Sequence, residues 1–160
     1  MYVPFETLPE HARIWIYQSN RKLSDTEVTA IEEALKTFVD NWAAHGTGLE
    51  ASFITKHNRF IILAVNQDGQ QATGCSIDAS VHFIQELEKQ YDISLLDKMN
   101  VTFKSGEHIA HKSLLDFKKM AKNKAVTADT IVFNNLVNTV GEWQDFWEVP
   151  AGESWHSRFF

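Results

Sequence analysis

The chain has 160 residues, 44% of them hydrophobic, and carries 21 acidic residues against 15 Lys and Arg for a formal charge of −6. This suits one compact body with a real core and excludes wholesale disorder. A single cysteine, Cys75, excludes an internal disulfide framework or a cysteine-rich zinc site, and no apolar run approaches the roughly eighteen residues that a membrane span needs.

In chain order, Met1-Tyr2-Val3-Pro4-Phe5-Glu6 has neither the basic nor the long apolar stretch of a secretory signal, so a soluble, cytoplasmic protein is expected. Arg13 to Ser19 is β-branched and aromatic and predicts a strand. Ser24-Asp25-Thr26-Glu27 has the capping-box pattern, and Val28, Ile31, Leu35, Phe38, Val39 and Trp42 follow at helical spacing. Gly46 and Gly48 are expected to stop that helix in the left-handed conformation. Leu49 to Lys56 alternates as a half-buried strand, His57-Asn58-Arg59 turns, and Phe60 to Val65 is a nearly continuous apolar strand. After the polar loop 66–74, Ser76 or Asp78 is expected to cap a second helix bearing Ile77, Val81, Ile84, Leu87 and Tyr91. Asn100 to Lys104 reads as a further strand.

The order β-α-β-β-α-β over residues 13–104 is ferredoxin-like, an α+β fold, with strands one and three expected side by side and parallel. Residues 1–160 are read as a single domain, with 105–160 as an extension. One sheet face would be apolar, through Trp15, Tyr17 and the third strand. The extension is expected to cover it, and a homodimer through that face is the alternative. Within the extension, Ser113-Leu114-Leu115-Asp116 opens a short helix and Glu142 to Trp147 supplies another helical turn or two. Residues 130–137 fit strand or helix equally, and the aromatic tail from Ser154 to Phe160 is expected to dock.

Trp15-Ile16-Tyr17-Gln18-Ser19, Leu23-Ser24, Trp42, His45-Gly46, Gly74-Cys75-Ser76-Ile77-Asp78, Ser80-Val81 and Ser154-Trp155-His156 together resemble a family of short bacterial proteins without established function, over nearly the whole chain. Members are sometimes labelled ABC transporter ATPase. A P-loop requires G-x-x-x-x-G-K-[ST], so that backbone amides and a lysine cradle phosphates, and no such run occurs here.

Parallel strands one and three would bring two helix N-termini to one edge. Ser19, Arg21, Gly74, Cys75, Ser76 and Asp78 would then form a site for a small anionic ligand, phosphate, carboxylate or acidic peptide. Cys75, beside a helix N-terminus, is also a candidate nucleophile, for which His108, His111 or His156 would have to supply the base. His108 and His111 would share a face if helical, but two ligands do not make a metal site, and neither metal nor cofactor is expected. Lys104 to Lys124 holds six of the fifteen basic residues, opposed by Glu107 and Asp116. The acidic total and the absence of an RNP1-like run argue against nucleic acid.

Overall fold

The structure, a computed structural model, describes residues 1–160. Its secondary structure is mixed α+β, and the chain divides into two compact units: Met1–Leu96 with Asn138–Gly141, and Asp97–Val137 with Glu142–Phe160. The division falls at Leu96, earlier than the boundary at 104–105 expected from the sequence.

The first unit contains β1 (Arg13–Gln18), α1 (Asp25–Asn41), the two-residue strands β2 (Ala43–Ala44) and β3 (Thr47–Gly48), β4 (Glu50–Lys56), β5 (Phe60–Asn66) and α2 (Gly74–Tyr91). Its main sheet has the order β1-β5-β4, antiparallel throughout, with Arg13 opposite Val65 and Gln18 opposite Phe60. Strands one and three are neighbours, but they are not parallel. The helix crossover from β1 to β4 leaves those two strands pointing the same way, and the β4–β5 hairpin reverses the chain, so β5 between them must oppose both. At the start of β1 the edge is met by residues 138–140, through an antiparallel bridge of Arg13 with Thr139 and the bond from the Ile14 amide to the Asn138 carbonyl (2.9 Å). The strand at 100–105 pairs in the other unit, so the ferredoxin-like four-stranded sheet expected from the sequence is not formed.

The register puts Trp15, Tyr17, Ile61, Leu63, Val65, Ala51 and Phe53 on one face, where Ile31, Leu35 and Val39 of α1 and Ile84 and Leu87 of α2 complete the core. On the other face Ile14, Phe60, Ile62 and Ala64 are also buried. Ser24 caps α1 with the expected reciprocal box to Glu27. The cap of α2 is Thr73, with Ser76 three residues on returning the bond, and not Ser76 or Asp78. Ser76 and Ser80 are consequently turned inward above Ile84 and Leu87. Nor do Gly46 and Gly48 end α1. Its last residue is Asn41, followed by Trp42 in extended conformation, and Gly46 (φ +76°) sits in the turn joining β2 and β3, where a positive φ favours glycine.

The second unit contains β6 (Asn100–Ser105), β7 (His108–Ser113), α3 (Leu114–Lys122), β8 (Ile131–Phe133), α4 (Val140–Phe146), which begins in the first unit, and β9 (Glu148–Pro150). The sheet order is β7-β6-β8-β9, again antiparallel. Residues 131–133 are thus a strand, which local periodicity left open. His108 to Ser113 is a strand as well, because it returns along β6 through the Gly106 turn (φ +63°). The core is Val101, Phe103, Phe117, Val126, Val132, Val149 and Ala151, with Trp155 and Phe159 packed against it. The tail therefore docks: Phe159 stands edge-on to Phe117 at 5.4 Å, and His156 is buried. No helix is long and apolar enough to cross a membrane.

Candidate functional site

Antiparallel β1 and β5 separate the residues that parallel strands would have joined. Ser19 and Arg21 follow β1 and lie with the β4–β5 turn, the start of α1 and the end of α2. Gly74, Cys75, Ser76 and Asp78 occupy the other end of α2, beside the end of α1, where the Trp42 indole N–H donates to the Ser76 carbonyl at 2.8 Å. Tyr91 lies sixteen residues beyond Cys75 along the helix, about 24 Å at 1.5 Å per residue. The six residues do not form one site.

At the Cys75 end the polar groups serve the helix. The Ser76 hydroxyl lies 2.7 Å from the Thr73 amide and 2.9 Å from its carbonyl, accepting from one and donating to the other, and the residue is buried. Asp78 and Gly74 face solvent. Cys75 is exposed, and no histidine is hydrogen-bonded to it. His111 instead pairs through Nδ1 with Thr102 Oγ1 (3.1 Å), and His156 Nδ1 lies 2.6 Å from Ser154 Oγ. Burial, reinforced by Arg158, pushes the His156 imidazole down from 6.5 to about 4 and holds it neutral. In a β-strand the side chains of His108 and His111 point to opposite faces, and no group of three or more His, Cys, Asp or Glu could hold a metal ion.

At the opposite end Arg21 is fully engaged. Its guanidinium grips Glu27 with two bonds (3.0 and 2.8 Å) and donates to the Tyr91 carbonyl at the end of α2 (2.8 Å). That cation and the Ser24 amide bring the Glu27 carboxyl down to about 2, and Glu27 in turn raises Arg21. Arg21 therefore ties the start of α1 to the end of α2, next to the partial negative charge of the α2 C-terminus.

Arg59, in the segment expected to turn, is of a different kind. The turn is set by His57 and Asn58 at positive φ, and the Asn58 amide group is fixed by bonds to the Leu23 carbonyl (3.1 Å) and to Asp25 Oδ1 (2.7 Å). The Ser19 amide donates to the Arg59 carbonyl (2.8 Å), extending the β1–β5 ladder by one pair. Alternation from Ile61 then puts the Arg59 side chain on the helix-bearing side. It is 7% exposed, donates from Nη1 to the Ser19 carbonyl at 3.0 Å, and has no carboxylate partner. Burial alone lowers its affinity for the proton. Ser19, also buried, accepts the Arg21 amide on its hydroxyl (3.3 Å).

Chemically, this end offers a guanidinium with most of its five donors unspent and the adjacent Ser19 hydroxyl. Donors of these kinds are ones that a carboxylate or phosphate oxygen can accept from. Comparisons with protein-family models, with curated proteins and with solved structures return no match.

Proposed function

We propose that the protein is a binding module for a small anionic ligand, held at the end of β1 by Arg59 with Ser19. The observation that carries this reading is the buried Arg59 guanidinium whose single partner is a backbone carbonyl. Its other guanidinium nitrogens are not sealed from solvent, so they stay open to an arriving anion, which would meet them with short bidentate bonds. Arg21 contributes position and long-range field, since its own donors are taken by Glu27 and Tyr91.

The reading departs from an edge shared by Arg21 and Cys75, and it keeps the class of ligand. Nothing favours nucleophilic catalysis by Cys75, which stands exposed without a base, or nucleotide hydrolysis, for which the chain has no phosphate-cradling run.

A thermal-shift panel of inorganic phosphate, sulfate, citrate and small mono- and dicarboxylates tests the proposal. A ligand present at 100 times its Kd adds about 2.7 kcal/mol, which is about 5–10 °C for a chain of this size. The expected pattern is one or more responding anions and no response in Arg59→Met, with Arg21→Ala retaining the response at reduced strength. A response equal in wild type and Arg59→Met removes the assignment.

A further inference from the structure

The second unit exposes large aliphatic side chains among unpaired cations. Met99 is 68% exposed and Leu115 is 72% exposed, and the two are neighbours: the Leu114 amide donates to the Met99 carbonyl at 3.2 Å. Helix α3 buries Phe117, with Leu114, Met120 and Ala121 partly buried beside it, so its opposite side faces solvent. On that side Leu115 has Lys118 and Lys119 at i+3 and i+4, the positions that adjoin it on a helix, and Lys122 two turns on at i+7. Lys98 precedes Met99, Lys112 is the last residue but one of β7, just before the helix, and Lys124 follows it. All six lysines are exposed and none makes an ion pair. The nearby acids are Asp116, Glu107 and Asp97, whose Oδ1 accepts the Met99 amide at 2.9 Å, and none of them forms an ion pair with any of the six lysines.

Each element of this pattern is unfavourable for a surface that meets only water. Two exposed aliphatics forfeit their burial energy, and six like charges repel one another. We propose that the outer side of α3, with Met99, is a peripheral docking surface for an anionic lipid bilayer, Leu115 and Met99 entering the headgroup boundary while the lysines meet lipid phosphates and carboxylates. Charge complementarity selects an anionic partner, and the shape and residue types select among anionic partners. The surface is a convex helix face, whereas an acidic peptide needs a groove. Leu115, Met99 and the six lysines include no aromatic side chain on which bases could stack and no arginine to read them, which a nucleic-acid surface uses. Protruding Leu and Met ringed by lysines match the two signals, apolar insertion and basic attraction, that a reversible membrane contact combines.

Flotation of the full chain with vesicles tests this. Vesicles of phosphatidylcholine with about 30% phosphatidylserine should carry the protein upward at about 0.1 M salt, and pure phosphatidylcholine vesicles should not. Each of Lys118→Ala, Lys119→Ala and Lys122→Ala should weaken binding about fivefold. Leu115→Ser should weaken it about tenfold. These residues are exposed, and an unchanged melting temperature in each variant will confirm that the fold is intact. Absence of flotation with anionic vesicles overturns the proposal, as does flotation that is indifferent to Leu115→Ser and to all three lysines. Retention on a single-stranded RNA column without vesicle binding would reassign the surface to nucleic acid.

Discussion

The two units hold themselves together by different means and place their charge differently. In the first, two helices of 17 and 18 residues close an aliphatic core over one sheet face, with capping boxes at both helix starts. In the second, the only α-helix lying wholly inside it has nine residues, and the core gathers around one aromatic ring, Phe117, touched by Phe103, His156, Phe159 and Phe160. The first unit carries thirteen acidic and seven basic residues, and so all of the net charge, while the second carries eight of each. Yet the isolated cation is buried in the acidic unit, and the crowded cations are spread over the surface of the neutral one. Overall charge thus says little about where an anion would bind. Local accounting of each guanidinium and ammonium says more.

If the second unit depends on one ring, Phe117→Ala should be the most damaging single change there. A loss of about 3–5 kcal/mol is expected, and chemical denaturation will measure it. Leu35→Ala, in a core shared among many aliphatic side chains, should cost at the lower end of about 2–5 kcal/mol. Equal losses would erase the contrast.

The next effect is a pH dependence specific to the aromatic unit. His156 is neutral when folded, near 4, and ordinary near 6.5 when unfolded. The unfolded chain therefore binds the extra proton, and stability that is complete above pH 6.5 is lost progressively as pH falls toward 4, to about 3 kcal/mol. Urea titrations at successive pH values should show this slope, and His156→Gln should flatten it. A slope that survives the substitution would locate the acid sensitivity elsewhere, with Glu27 of the first unit the next group to examine below pH 4.5.

Smaller effects sharpen the account of the first unit. The Ser52 hydroxyl is buried in β4 without a hydrogen-bond partner, so Ser52→Ala should leave stability unchanged or raise it by about 1 kcal/mol. Thr73→Ala removes the cap of α2 and should lower stability by about 1 kcal/mol, whereas Asp78→Ala should change little. Opposite signs for Ser52 and Thr73 would show that the same kind of hydroxyl is a burden in a strand and a support at a helix start.

What the sequence disclosed follows the same division. Helices α1 and α2 and strands β1, β4 and β5 carry long periodic patterns, and their places were legible. Strand direction was not: it follows from the β4–β5 hairpin acting together with the crossover, a relation between elements that no single segment carries. The return of residues 138–140 to the edge of β1 was invisible for the same reason. In the second unit the strand at 108–113 is specified by its pairing with β6, while its own residues, His108-Ile109-Ala110-His111, suit a helix equally well. The candidate site inherited the directional error, so four of its six residues, Gly74, Cys75, Ser76 and Asp78, proved to lie at a helix start remote from Ser19 and Arg21. Arg59 stayed hidden because its burial comes from tertiary packing.

The most direct test of the central proposal is a set of paired melts of wild type and Arg59→Met, each with and without the responding anion. An arginine kept for a ligand burdens the free protein, so Arg59→Met should be as stable as wild type or more so without the anion, and the anion should stabilise wild type alone. If instead Arg59→Met loses 3 kcal/mol or more without ligand and still responds to the anion as wild type does, Arg59 is a structural residue and the binding site lies elsewhere.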